Sequence, residues 1–530
     1  MTCHEATLPL LRGNTTLESA LEQEDDILLE LGFPEQRIEF FVSLYSNRDD
    51  IESIASYHLG LGPSETCRIG GVNEWVHGSF NVCIPLYVSK QDQHPNKQAL
   101  IRFPLPYKVG ESRNPGNVDE KLRCEAATFI WIHENCPEIP IPHLWGFGLV
   151  GGQSFTKPQN TPWGPRFLWS IKRSIMWLLG CSLPCPYICH QRSTMLESGY
   201  LVMDYIGNSD VQMLSETWDE HRHQRDKTTN LFKGLSRIML SLSRVPLPRI
   251  GSWTLDSNGA LRLSNRPLTL RLHQLENGGI STNISRSLTY SAADAYYLDL
   301  LSCHDSRIRN QPNSVSDADD GRAQMARLTM MRALLPHFSK REHREGPFFY
   351  RLTDLHPSNI FIDSQWNVKF VIDLEWACSL PAETLRPPYW LTGRSVDDLT
   401  GKHLEEFREA YEEFVDIFEE EEKLFPPINN VYSYRTTLMR NGWQVGNFWY
   451  FHALDSPKGL FNLFRQHVYP IFAPSHQVAS EFSRVVSDFW APDVEEVILA
   501  KLRDKEEYDK SLCQLFDDTS DCARDGALVH

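Results

Sequence analysis

The sequence has no apolar run long enough to cross a bilayer. Its most apolar segment, 167–181, is broken by Lys172 and Arg173 and falls short of the ~20 residues a spanning helix needs. The N-terminal residues lack a basic stretch followed by an apolar one, the pattern of a secretory signal. Close Cys-x2-Cys pairs are missing, and the 12 cysteines are scattered over 530 residues, which fits reduced thiols better than a disulfide framework. An excess of positive charge is missing too. At −17 the chain is a poor match for broad nucleic-acid or anionic-membrane binding, since both demand a basic face. A local basic pocket, or an acidic one, remains open. The expectation is a soluble, cytoplasmic protein with no nucleic-acid and no membrane partner.

What the chain has is apolar mass. Hydrophobic residues make up 41%, with 14 Trp and 27 Phe, which excludes disorder as its general state. At 530 residues it exceeds one typical core, so two lobes or domains are expected. Its chemistry concentrates in 351–381, where two short β-type runs, 360–362 and 368–372, flank a turn-forming link, Asp363-Ser364-Gln365-Trp366-Asn367. Paired as a hairpin, these runs set Asn359 and Asp373 at one end, where facing Cβ atoms lie about 5 Å apart. A Mg²⁺ ion, with oxygen ligands at roughly 2.1 Å, fits between such a pair. Asp354, in the loop before the first run, lies close by and can take the proton of an incoming hydroxyl, the arrangement phosphoryl transfer needs. The plain alternative is a hairpin whose Asp and Asn only cap turns.

Asp-Leu-His-Pro-Ser-Asn-Ile-Phe (354–361) followed by Val-Ile-Asp-Leu-Glu-Trp-Ala (371–377) resembles the aminoglycoside phosphotransferase-like family, especially its large fungal branch. The resemblance implies an α+β, two-lobed protein-kinase-like fold, with a small antiparallel-sheet lobe and a mainly helical lobe. It also implies transfer of the γ-phosphate of ATP to a hydroxyl of a small molecule, with Asp354 as base and Asn359 and Asp373 as Mg²⁺ ligands. The family motif is His-Gly-Asp-x4-Asn, then Ile-Asp; here Leu352 and Thr353 stand in place of the His and Gly. That His braces the loop by hydrogen bonding, whereas Leu352 would brace it by packing. The change keeps open a catalytically weak nucleotide-binding pseudokinase or scaffold protein. Asp-Phe-Gly and Ala-Pro-Glu do not occur, which argues against a protein kinase.

The upstream parts follow in the order the resemblance requires. In the turn His77-Gly78-Ser79-Phe80-Asn81, Gly78 and Ser79 would lay backbone over nucleotide phosphates, although the turn is neither Gly-x-Gly-x-x-Gly nor a P-loop. Arg102, on the strand 99–104, stands where the family has a phosphate-gripping Lys and offers two donors. Glu125, on a helix at 119–135, is the expected ion-pair partner; Glu120 is its rival on another face. The strand 200–207 resembles the hinge, where main-chain groups of Asp204 to Ile206 would meet adenine. Each part also has a plain reading: an ordinary hairpin, an edge-strand Arg, a buried strand.

The remaining segments frame these parts. Residues 1–67 read as a helical extension packed on a first lobe, 68–205, and 206–500 as the second lobe. Within the first, 151–198 reads as an insertion, with Cys181, Cys185, Cys189 and His190 as thiols and imidazole rather than a zinc site. Its 167–181 segment reads as an amphipathic helix that docks on the lobe or lines a substrate entrance. Asn-Gly within 251–266 signals a hairpin. Helices are expected at 227–244, 290–304, 322–339 and 404–423, with a polar loop at 305–321 and a solvated acidic face at 419–422. Acidic and aromatic residues after Asp373 would suit an amine-bearing acceptor, with core packing the simpler account. His356 is expected to bond within its own loop. Glu375 is either next to the metal or a solvated turn residue. The tail, 501–530, reads as a short helix that frays.

Overall fold

Val82, Ile84, Leu86 and Val88 are buried at every second position of the strand Asn81–Ser89, the two-residue period of a strand. In the computed structural model this strand pairs antiparallel with Thr66–Ile69, Val76–His77 and Asn96–Pro104. The sheet continues through Tyr200–Asp204, Leu144–Gly148, Gln153–Thr156 and Ile188–Gln191, eight strands in all. The structure describes residues 7–89, 96–180, 183–192, 196–207, 210–428, 430–456, 459–473 and 480–526.

Both faces of this sheet are covered. Tyr200 and Val202 face the helices Phe33–Ser46 and Arg48–Leu59, through Phe33, Leu44, Ile51 and Ile54. Leu201 and Met203, one residue out of phase, face Leu122, Ala126, Phe129 and Ile130 of the helix Asn117–Asn135. A second, larger core gathers the helices Arg225–Leu242, Ala293–Asn310, Ala318–Phe338, Gly401–Glu422 and Asn447–Asp455. Between the two cores run the pair Phe348–Leu352 with Ala377–Pro381 and the hairpin Ile360–Ile362 with Val368–Val371. The architecture is a mixed α+β arrangement of antiparallel sheets and many helices.

Several segments differ from expectation, each for a packing reason. Within 151–198, Gln153–Thr156 and Ile188–Gln191 form the last two strands of the sheet, which the expected insertion did not specify. The C-terminal segment forms one helix, Val494–Gly526, rather than a short frayed one. Its Tyr508, Leu512 and Phe516 pack against Ala20 and Ile27, and Leu17, Leu21, Leu28 and Leu31 complete that cluster. The first part of the N-terminal extension therefore rests on the chain's other end. The polar loop after Ala293–Asn310 is short, since the next helix begins at Ala318. Glu421 and Glu422 are buried rather than solvated: Glu422 accepts from the N–H groups of Arg435 and Thr436 and pairs with the Arg435 guanidinium.

Candidate active site

The strands Ile360–Ile362 and Val368–Val371 pair antiparallel with Ile360 opposite Val371. Beyond them the Ile372 N–H donates to the Asn359 carbonyl at 2.9 Å, so Asn359 and Asp373 lie at the same end of one hairpin. At the other end Asp363 accepts from the N–H groups of Gln365 and Asn367, both at 3.0 Å, holding a turn in which Trp366 is fully buried. Asp373 itself has φ +59°, a left-handed conformation that strains any residue with a Cβ and is concentrated at functional sites. It turns the chain out of the strand into the short helical turn Leu374–Trp376.

The Asp354 loop is fastened at several points. Thr353 donates its N–H and its hydroxyl to the Trp376 carbonyl, at 2.9 and 2.6 Å. The Asn359 amide donates to the Asp354 carbonyl at 2.9 Å, and Trp390 donates to the Leu355 carbonyl at 2.9 Å. Leu352 packs with the cluster that includes Ile238, Leu242, Val371 and Leu374; the loop is braced by apolar contact. His356 bonds within the loop to Ser358 at 3.2 Å. Burial, followed by the negative fields of Glu375 and Asp373, pushes the half-buried Asp354 carboxyl up to about 7, against a smaller opposing pull from Asn359 and Arg271. Such a group changes protonation near neutral pH, where a general base is most effective.

Behind the loop lies a closed set of charges. Arg102, 5% exposed, donates to Glu125 and to Glu375, both at 2.7 Å, and touches Asp373. Lys121 reaches Glu375 at 2.5 Å and Asn81 at 2.6 Å, and the Asn81 amide donates to Glu375 at 2.8 Å. Glu375 is thus a buried hub rather than a solvated turn residue. Burial would raise its carboxyl, but Lys121 and Arg102 outweigh it and hold it below the ordinary range. Burial dominates at Glu125 and Asp373, which are raised. Two cations, Arg102 and Lys121, face three carboxylates, Glu125, Asp373 and Glu375, so the set carries an excess of negative charge with Asp354 nearby. Glu120 points elsewhere, to Arg266 at 2.8 Å and Arg286 at 3.2 Å; Glu125 is the partner of Arg102.

The expected nucleotide-contacting residues of the sheet fall into two places. Gly78 donates its N–H to the Asn81 carbonyl at 2.9 Å, and a Cβ added there would meet nothing closer than 3.9 Å. Gly78 and the exposed Ser79 form the tip of a hairpin whose next residue, Phe80, sets its ring edge-on to Trp376 at 5.5 Å. That contact ties the glycine turn to the Asp373 segment. Asp204 donates its N–H to the His143 carbonyl at 3.0 Å, and its carboxylate accepts from His143 N–H and Trp145 Nε1. Ile206 lies half-buried just past that strand. Of the cysteines near 185, Cys185 is buried and Cys189 exposed, and Cys181 lies outside the described residues. Among the described residues no group of three or more His, Cys, Asp or Glu is set to hold a metal.

Asp354 also lines a cavity of about 450 Å³, within the range of small-molecule sites. Its polar lining includes Arg271, Arg351, Arg386, Asp397 and Asp455. Arg386 pairs with Asp455 at 2.6 Å, and Arg351 donates to the Thr384 carbonyl and hydroxyl at 2.6 and 2.8 Å. Phe407, Phe414 and Phe418 belong to the core instead, so the aromatic stripe expected to suit an amine does not line it. Lys121, Asn81 and these arginines were not singled out in the sequence. Lys121 alone left a signal, standing four residues before Glu125 and thus on the same helix face. The chain matches no protein-family model and no curated protein.

Proposed function

We propose that this chain is an ATP-dependent phosphotransferase that moves the γ-phosphate to a hydroxyl of a small molecule, on a two-lobed protein-kinase-like frame. The observation that carries the proposal is the meeting of Asp354, Asn359 and Asp373 at one hairpin end, with Asp354 opening onto the 450 Å³ cavity. Asp354, poised near neutral pH, would orient the acceptor hydroxyl and take its proton as transfer proceeds. Asn359 uses its amide N–H on the loop, which leaves its carbonyl oxygen as a hard donor; Asp373 adds a carboxylate oxygen. These donors, in surroundings with surplus negative charge, fit Mg²⁺, which when bound supplies neutralisation of phosphate charge. Glu125 and Glu375 hold Arg102 in place beside Asp373. Gly78 and Ser79 would cover the phosphates, and main-chain groups of Asp204 to Ile206 would meet the base. The cavity sets Arg271, Arg351 and Arg386 against Asp354, Asp397 and Asp455, so it would suit an acceptor with polar groups of either sign.

One observation favours a second assignment, a catalytically weak nucleotide-binding or scaffold protein. Arg102 touches Asp373 directly, so a cation already occupies the carboxylate that would hold the metal. Transfer of labelled phosphate from ATP into a metabolite extract separates the two. The phosphotransferase should lose roughly 10²–10⁴-fold of its rate in Asp354→Asn, and equal labelling by both proteins removes Asp354 as the base. Mg-ATP should raise the melting temperature under either assignment, by about 2.7 kcal/mol of stabilisation at roughly 100 times its dissociation constant; no rise counts against both.

A further inference from the structure

The helix Trp163–Leu178 connects two strands of the large sheet and has no buried residue. Its least exposed positions include Trp169, Arg173 and Met176, spaced four and three apart, so they define the side that rests on the protein. The opposite side carries Phe167, Ile171, Ile175 and Leu178, again at helical spacing, and Leu168 beside them. All five are exposed, Leu178 by 74% and Leu168 by 67%. Trp163, 71% exposed, stacks on Phe167 at 5.4 Å and extends the patch at its N-terminal end. A soluble surface seldom presents a contiguous apolar face of this kind without a partner for it.

The charge around the patch indicates what that partner is. No Asp or Glu occurs between Glu138 and Glu197, whereas Lys157, Arg166, Lys172, Arg173 and Arg192 do. This stretch of sequence is cationic in a chain of net charge −17, and on the helix its exposed charges are Arg166 and Lys172. On a helical projection at 100° per residue Lys172 lies about 40° beyond the apolar arc, where a long basic side chain can reach outward while its stem lies on apolar surface; Arg166 is exposed too but falls next to Arg173. The helix also holds two exposed tryptophans, Trp163 and Trp177, the residue that favours the boundary between headgroups and acyl chains. No helix among the described residues is long and apolar enough to cross a membrane, so the helix would lie in the interface rather than span it.

We infer that Trp163–Leu178 is a membrane-surface helix that seats its Phe167–Ile171–Ile175–Leu178 face in a bilayer rich in anionic lipid. Its basic flank meets the headgroups. The −17 of the whole chain does not oppose this, because charges beyond about 8 Å are screened at physiological salt. The inference is independent of the phosphotransferase assignment, and full-length protein tests it by flotation with vesicles of phosphatidylcholine alone and with added phosphatidylserine. Binding should require phosphatidylserine and weaken as salt rises. Ile171→Glu/Ile175→Glu should weaken it by at least about tenfold, equivalent to ~1.4 kcal/mol, and Arg166→Glu/Lys172→Glu should remove the preference for anionic vesicles. Both variants should melt with the parent, since the altered side chains are exposed. No vesicle binding, or binding indifferent to lipid charge, overturns the inference. So does self-association that the isoleucine pair abolishes without any vesicle binding, which would assign the face to a second copy of the chain.

Discussion

The helix Asn117–Asn135 takes Glu120, Lys121 and Glu125 into the interior, whereas the helix Trp163–Leu178 holds Phe167, Ile171 and Ile175 out in solvent. Each departs from the usual sorting of residues, and in opposite directions. Buried charge is tolerable only when paired, because desolvating an isolated ion costs several kcal/mol or more. All three charged residues have partners at short range: Arg266 for Glu120, Glu375 for Lys121, Arg102 for Glu125. The first helix is thereby locked to the loops that carry Asp373. Exposed apolar groups need no such partner within the fold, and the second helix is tied to the molecule along one side only. The interior departure marks a site the fold has closed around; the surface departure marks one that something outside must cover.

That contrast breaks first if the buried charges are not needed. Lys121→Met should cost about 3–5 kcal/mol, read from the urea midpoint, because it removes the nearer of the two cations on buried Glu375, leaving Arg102 shared with Glu125 and Asp373, and strands the Asn81 side-chain carbonyl oxygen. A cost below about 0.5 kcal/mol would place Lys121 with ordinary surface positions and end the distinction. The double variant Lys121→Met/Glu375→Leu should recover part of the loss, since removing both charges leaves less to pair; a double-mutant cycle measures the coupling.

Titration sharpens the same contrast with a smaller effect. Asp354 is raised to about 7, above its ordinary value of about 3.8. Between those values the native state holds the proton more tightly than the unfolded chain, so this group's contribution makes stability fall as pH rises through that window. Asp354→Asn abolishes the contribution. Relative to the parent, its stability should therefore rise across pH 4 to 7 and level off beyond, by on the order of 1–2 kcal/mol once partial exposure is discounted. Activity runs the other way, since the base works when deprotonated: the rate should climb through about pH 7 with one proton lost. A flat stability difference between the two proteins would mean that neither burial nor the fields of Glu375 and Asp373 raise Asp354.

Local patterns carried much of the hairpin. Alternating apolar residues and the Asp363–Asn367 turn formers are enough to pair Asn359 with Asp373, because every contact involved is close in sequence. The mixed α+β class was expected from the resemblance carried by 354–377, and the structure has it; the charge cluster was less legible. Arg102, Glu125 and Glu375 span 273 residues, and only the folded chain brings Lys121 and Asn81 between them. The tail, 501–530, reads as a short, fraying helix because its charged sequence offers few apolar anchors. Its partner, Ile27, lies 481 residues from Tyr508. At 163–178 the period was readable but the direction was not. Amphipathicity says that a face exists, not whether the protein or something else covers it.

The smallest expected effect is the most telling for the exposed helix. Ile171→Ser and Ile175→Ser remove large apolar side chains, a change that costs several kcal/mol where such residues are packed. Here both side chains are exposed, so little area is returned to water that was not already wet, and each variant should stay within about 0.5 kcal/mol of the parent. Lower helix propensity adds a few tenths at most. Phe129→Ala on the buried helix, where the ring packs in the sheet core, should instead cost about 3–5 kcal/mol. If the serine variants also lose 2 kcal/mol or more, the Trp163–Leu178 face is packed against the protein in solution. Both the two-helix contrast and the membrane-surface assignment would then fall together. If they melt with the parent, the apolar face contributes nothing to folding.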